Sequence, residues 1–235
     1  MGDCLSELVD RKLISCYSLS FNEKSRLTER RLEFDLAALK ETISEAAHQP
    51  SANVVSITKL AEGGFNRILQ ATMTDDSIIL ARIPYPNTVP KTYAVASEVA
   101  TLDFLRLHGI PVSKVLGYAA TADNPVGTEY ILMEKMEGTP LGHVWFSMSN
   151  KERLSIMKQI IGLEKLFFDL QLPASGSIYY QEDLRAGEKS VGIEGASLQG
   201  KPFVVGPTAQ YEWWYQERKQ LGADRGPCML AQSTF

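Results

Sequence analysis

The stretch that most constrains the fold is Glu62-Gly63-Gly64-Phe65-Asn66-Arg67, two adjacent glycines set between runs of β-forming residues. Upstream, Val54 to Ala61 contains Val54, Val55, Ile57 and Thr58; downstream, Arg67 to Thr74 resumes an extended pattern. This arrangement predicts a β-hairpin. Glycine lacks the Cβ that would obstruct a tight turn or a close backbone approach, so the pair suits either an ordinary hairpin turn or a loop lying over a phosphate.

The rest of the chain decides between these by what it places around the hairpin. Residues 1–31 are polar and weakly periodic and read as a poorly ordered leader. Leu32, Leu36, Leu39, Ile43 and Ala47 then recur at helical spacing, predicting a helix from Leu32 to Ala47 that Gln49-Pro50-Ser51 ends. After the hairpin, Asp75-Asp76-Ser77 turns into Ile78-Ile79-Leu80-Ala81-Arg82-Ile83, a strand with both faces covered, stopped by Pro84, Pro86 and Pro90. Arg82 is anomalous there, because a guanidinium on such a strand must find an anion or reach water.

Thr92 to His108 reads as a helix with Thr92 as N-cap, Gly109 at the C′ position and Pro111 beyond. Glu98 interrupts its apolar stripe of Val95, Leu102 and Leu105 and either pairs with a cation, for which Arg82 is available, or lies at the stripe's edge in solvent. Val112 to Tyr118 and Glu129 to Glu134 complete a set of five candidate strands. Residues 32–134 thus form one lobe, and 135–140, Lys135-Met136-Glu137-Gly138-Thr139-Pro140, suit a hinge. In residues 141–235, Ser149 and Glu152 form a capping-box pair opening a helix to about Gln171. Ile156, Ile160, Leu163, Phe167 and Leu170 line one face, and Leu154, Met157 and Ile161 add a second stripe that calls for cover on most sides.

Composition removes several function classes. At 235 residues and 44% hydrophobic content the chain can hold one large domain or two small lobes, and a net charge of -4 gives no nucleic-acid surface. Cys4, Cys16 and Cys228 are too few and scattered for a disulfide framework or zinc site, which fits a reducing compartment. No run approaches the roughly 20 apolar residues of a membrane span. Met1-Gly2-Asp3-Cys4-Leu5-Ser6 matches an N-myristoylation pattern, and Asp3, Glu7 and Asp10 argue against an acid-poor mitochondrial presequence, so targeting stays open.

The ordered motifs Glu62 to Arg67, Ile79 to Pro84, Ser97 to Leu102, Gly109 to Val112, Ile131 to Gly138 and Gly176 to Tyr180 resemble the aminoglycoside phosphotransferase family, and within it the fungal altered-inheritance-of-mitochondria branch. The resemblance runs from about Leu32 to Pro227. It implies an α+β, protein kinase-like fold: a five-stranded antiparallel N-lobe sheet with an αC-like helix, followed by an incomplete helical C-lobe. It also implies ATP as ligand. Gly63, Gly64 and Phe65 would cover the triphosphate, Arg82 would replace the usual phosphate-gripping lysine, and Glu98 would hold Arg82 in position. Glu134 and Met136 would offer backbone to the adenine edge, with Met133 near the gatekeeper. An intracellular location, cytoplasmic or mitochondrial, is implied as well.

Phosphoryl transfer also needs an Asp at the substrate hydroxyl and a carboxylate for Mg²⁺, carried in the family as H-x-D-x-x-x-x-N and a later Asp. His48, His108 and His143 are the only histidines, and none has Asp two positions on. Asp183 is spaced as a catalytic Asp would be, but Gln181 stands for the His and Glu188 for the Asn. Asp224-Arg225-Gly226 imitates a metal-binding D-x-G motif. The expectation is therefore a truncated, inactive member that retains the ATP-binding lobe, with Mg²⁺ expected only in a complete one and the phosphate acceptor unknown. The alternative is a pseudokinase-like nucleotide-binding or protein-interaction module. The second stripe of the long helix is expected to stay exposed in such a chain and to promote self-association.

Overall fold

Helix α1 begins where a side chain can cap it. In the computed structural model, which describes residues 28–229, Asp35 accepts from the backbone N–H groups of Ala37 and Ala38 at 2.8 and 2.9 Å, and α1 runs over Leu36–Ala46. The predicted start at Leu32 is corrected by that cap, although Leu32 and Phe34 still pack on the same core. Cys4, Cys16, the acylation motif and most of the leader fall outside the described residues.

The described residues form two compact units, 28–95 with 116–134 and 96–115 with 135–229. The first unit contains a five-stranded sheet ordered β1-β2-β3-β5-β4, from β1 (Val54–Glu62), β2 (Asn66–Met73), β3 (Ile78–Pro84), β4 (Val115–Ala119) and β5 (Tyr130–Glu134). β1 with β2, β2 with β3, and β3 with β5 pair antiparallel. Side chains alternate across a strand, so the register assigns the two faces. Leu69, Ala71, Met73, Ile79, Ala81, Ile83 and Leu132 share one face, where they form a core with Leu39 and Ile43 of α1. Asn66, Ile68, Gln70, Leu80, Arg82 and Met133 share the other, and each is half-buried. Burying each Leu or Ile of the core stabilises the fold by about 1.5–3 kcal/mol, so a one-residue slip of register would exchange this core for the polar face.

Helix α2 spans Tyr93–Leu107. Thr92, the expected N-cap, immediately precedes it with φ 70°, and its own N–H donates to the Glu129 carboxylate at 2.7 Å, which Lys91 also contacts at 3.0 Å. The C-terminal end matches expectation. Gly109 has φ 77° and donates to Arg106 O, while Ile110 donates to Leu105 O, the paired bonds of a Schellman motif. Arg106 then donates to Val112 O at 2.6 Å, and β4 starts at Val115 rather than Val112.

In the second unit a helical turn, α3 (Leu141–Val144), precedes α4 (Asn150–Phe168). The predicted capping box is present: Ser149 N–H donates to Glu152 Oε2 at 2.7 Å and Glu152 N–H to Ser149 Oγ at 3.3 Å. No residue of α4 is buried, so one apolar stripe is only half-covered and the second, Leu154, Met157 and Ile161, is exposed.

Beyond α4 the expected helical continuation gives way to strands. β6 (Ala174–Ser175) pairs with β10 (Cys228–Met229), and β7 (Ser177–Tyr180), β8 (Val191–Leu198) and β9 (Lys201–Gly206) form an antiparallel sheet ordered β7-β9-β8. Gln199 and Gly200, with φ 52° and 81°, make the two-residue turn between β8 and β9, a conformation that brings adjacent strands into register. Tyr180 stacks on Phe203 at 4.8 Å, Phe203 meets Phe104 edge-on at 5.5 Å, and the Tyr180 hydroxyl donates to Asp103 at 2.7 Å. Burial raises the Asp103 carboxyl pKa, and the Tyr180 hydroxyl partly offsets that rise.

Candidate functional site

The glycine turn is anchored on both faces of the sheet. On the core face, Glu62 and Arg67 are directly opposed across the hairpin. The Glu62 carboxylate accepts from Tyr85 Oη at 2.6 Å, Arg67 Nη2 at 2.9 Å and Lys59 Nζ at 3.0 Å. Burial would raise its pKa, but these donors outweigh it and hold the carboxyl down at about 2. The Tyr85 hydroxyl is pushed up by its own burial and by the neighbouring carboxylate. At the tip, Phe65 O accepts from Tyr85 N–H at 2.9 Å and Thr88 Oγ1 at 2.7 Å.

On the opposite face the Asn66 amide connects the loop to Arg82. Oriented so that its oxygen meets donors and its nitrogen an acceptor, Asn66 accepts from Arg82 Nε at 3.2 Å and Nη2 at 2.8 Å, and donates to Phe65 O at 3.3 Å. A guanidinium held along one edge in this way has a fixed plane.

The two glycines are not required by the protein's own packing. Neither has positive φ; a Cβ on Gly63 would make ordinary contact with Asn66 O at 3.8 Å, and one on Gly64 would meet nothing within 4 Å. Gly176 and Gly206 of the second unit contrast with them. A Cβ at Gly176 would collide with Gly206 O and Val205 Cγ1, and one at Gly206 would lie 2.9 Å from the Tyr179 ring.

Of the residues singled out from sequence, Gly63, Gly64, Phe65, Arg82, Met133 and Glu134 belong to the first unit, and Arg82 and Met133 share the half-buried face. Phe65 is exposed at the loop tip. Glu98 is half-buried on the part of α2 that belongs to the second unit, and Met136 is an exposed residue of that unit. Asp183 ends a 3-10 turn, Gln181–Asp183, and is half-buried. Asp224 is taken up by its own turn: its carboxylate accepts from Lys189 at 3.0 Å and Gly226 N–H at 3.0 Å. Arg225 stacks 4.2 Å over Trp214 and donates to backbone carbonyls, among them Arg218 O at 2.6 Å. Among the described residues no three His, Cys, Asp or Glu side chains converge as metal ligands. Nor is any described helix long and apolar enough to cross a membrane.

Sequence reasoning missed Asn66 as a partner of Arg82, and Lys59, Arg67 and Tyr85 as partners of Glu62. The available signal was the pairing of Glu62 with Arg67 at the two ends of a short turn, where opposite charges face each other across a hairpin.

No family model matches the chain. It is similar to several fungal proteins. It is 43% identical over 181 residues to a subtelomeric hrmA-associated cluster protein of Aspergillus fumigatus, covering 76% of this chain and 34% of that protein. It is 26% identical over 234 residues to altered inheritance of mitochondria protein 9, mitochondrial, of Yarrowia lipolytica, covering 90% of this chain and 40% of that one. The Saccharomyces cerevisiae protein of the same name is 31% identical over 169 residues, covering 68% of this chain and 26% of the relative. These homologues support the altered-inheritance-of-mitochondria branch expected from the ordered motifs. The chain spans 26–40% of the lengths of these relatives.

Proposed function

We propose that the first unit is the nucleotide-phosphate-binding part of an aminoglycoside phosphotransferase-like, kinase-like protein, and that this chain binds ATP. The observation that carries the reading is the open Gly63-Gly64 loop joined through Asn66 to an oriented Arg82 on a half-buried sheet face. Backbone N–H groups of such a loop and a fixed guanidinium are suitable donors for anionic oxygens. Arg82 would grip the phosphate with a planar fork, and Gly64, lacking a Cβ, would let the loop lie close over it.

The test is thermal unfolding with and without Mg·ATP. At about 100 times Kd, a single site adds about 2.7 kcal/mol of stability, so a clear rise in Tm is expected. No rise at millimolar nucleotide would remove this reading and leave a protein-interaction module, which the exposed stripe of α4 favours. ATP turnover abolished by Asp183→Ala would assign that residue a catalytic role. The relatives from Y. lipolytica and S. cerevisiae are named as mitochondrial, and we extend that location to this chain; imaging of the tagged protein against a matrix marker checks it.

A further inference from the structure

We infer that Asn66 is a positioning residue that sets the Arg82 guanidinium and the glycine loop in one fixed relation, so that a polyphosphate meets both as a preformed unit; this rests on the phosphate-loop reading above. The geometry is specific. One amide takes two N–H groups of Arg82 through its oxygen, at 3.2 and 2.8 Å, and turns its nitrogen to the carbonyl of Phe65 at the loop tip, 3.3 Å away. Asn66 starts β2 opposite Pro84 and lies on the same sheet face as Arg82, two residues from the Ile68 position that directly opposes the arginine. Its reach therefore follows from the register.

Arginine has several rotatable bonds and a planar fork of five N–H donors. Left to rotate, such a fork loses conformational entropy each time it engages an anion; held by an acceptor on its Nε and Nη2 edge, it has lost that freedom before the ligand arrives. The same amide transmits the loop's position to the cation. Asn66 acts on phosphate only through Arg82 and Phe65 O, and this makes the role separable from that of a direct ligand.

The experiment uses the full chain and two readouts. In a ¹⁵N spectrum of the arginine side chains, the Arg82 Nε–H signal, assigned by its loss in Arg82→Lys, should be sharp and protected in the wild type. It should persist in Asn66→Asp, which keeps the acceptor, and broaden in Asn66→Ala. By calorimetric titration, Asn66→Ala should weaken Mg·ATP about tenfold, as expected for losing a hydrogen bond to a charged group. Adenosine binding should not change. In an Arg82→Lys background, Asn66→Ala should cost less than about a further twofold, because lysine offers no guanidinium edge to hold.

Independent, multiplied losses in the double variant, or an equal loss for adenosine, would overturn the inference, as would wild-type binding left intact by Asn66→Ala. Those outcomes would leave the nucleotide reading standing. An Arg82 signal that follows Asn66 as described, in a wild-type chain that fails to bind Mg·ATP, would support the positioning and remove the nucleotide reading.

Discussion

Glu62 illustrates how a charge is kept at the edge of an apolar core. Its carboxylate has three donors and a folded pKa of about 2, against 4.5 for an ordinary glutamate. A depressed pKa means that the ionised form is the stabilising one. The contribution is complete above about pH 4.5, where the unfolded chain also carries the charge, and is lost as pH falls towards 2. Acid titration of Tm should therefore show a steeper fall across this window in the wild type than in Glu62→Gln. At neutral pH that variant should be about 1–3 kcal/mol less stable by chemical denaturation, since it keeps an acceptor for Tyr85 but loses charge towards Arg67 and Lys59. Arg82 could be recognised as an oddity from sequence, because a cation in an apolar run is visible in the run itself. Asn66 could not, because an asparagine next to a glycine pair reads as turn chemistry, and only the register of β2 against β3 reveals its partner.

At the level of elements, local signals were legible and non-local ones were not. The capping box of α4 and the Gly109 end of α2 each involve residues a few positions apart, and both formed as expected. Strand β8 carries no strand signal of its own, because Gly192 and Gly195 weaken its propensity and its stability comes from pairing with β9. The pairing of β7 with β9, which sets Ser177 opposite Gly206, explains where glycine is indispensable. Gly176→Ala places a methyl against the backbone of Gly206 and should cost about 1–3 kcal/mol or more, read as a lower denaturant midpoint. Gly64→Ala has open space and no positive φ, so its stability should stay within about 0.5 kcal/mol of wild type while Mg·ATP binding weakens. A Gly64→Ala chain that bound nucleotide normally would separate the loop from phosphate recognition.

For the molecule as a whole, the two units differ in how fully they cover their apolar residues. The first has a core with α1 on one face of its sheet, and Leu39, Ile43, Ala71 and Ile83 have no exposed surface. The second carries α4, on which Ile161 is 59% and Phe168 83% exposed and Leu154 and Met157 are also open to solvent. A contiguous apolar stripe of this kind lowers its free energy by meeting another apolar surface. The two stripes of α4 were legible from spacing, but the degree of cover was not, since cover depends on what the remaining chain can place against the helix. The chain should therefore self-associate through α4, with a light-scattering mass that rises with concentration. Leu154→Glu with Ile161→Lys lies on exposed positions of the helix and should leave its helicity unchanged while lowering the apparent mass. A monodisperse monomer over the full concentration range in the unmodified chain would count against it.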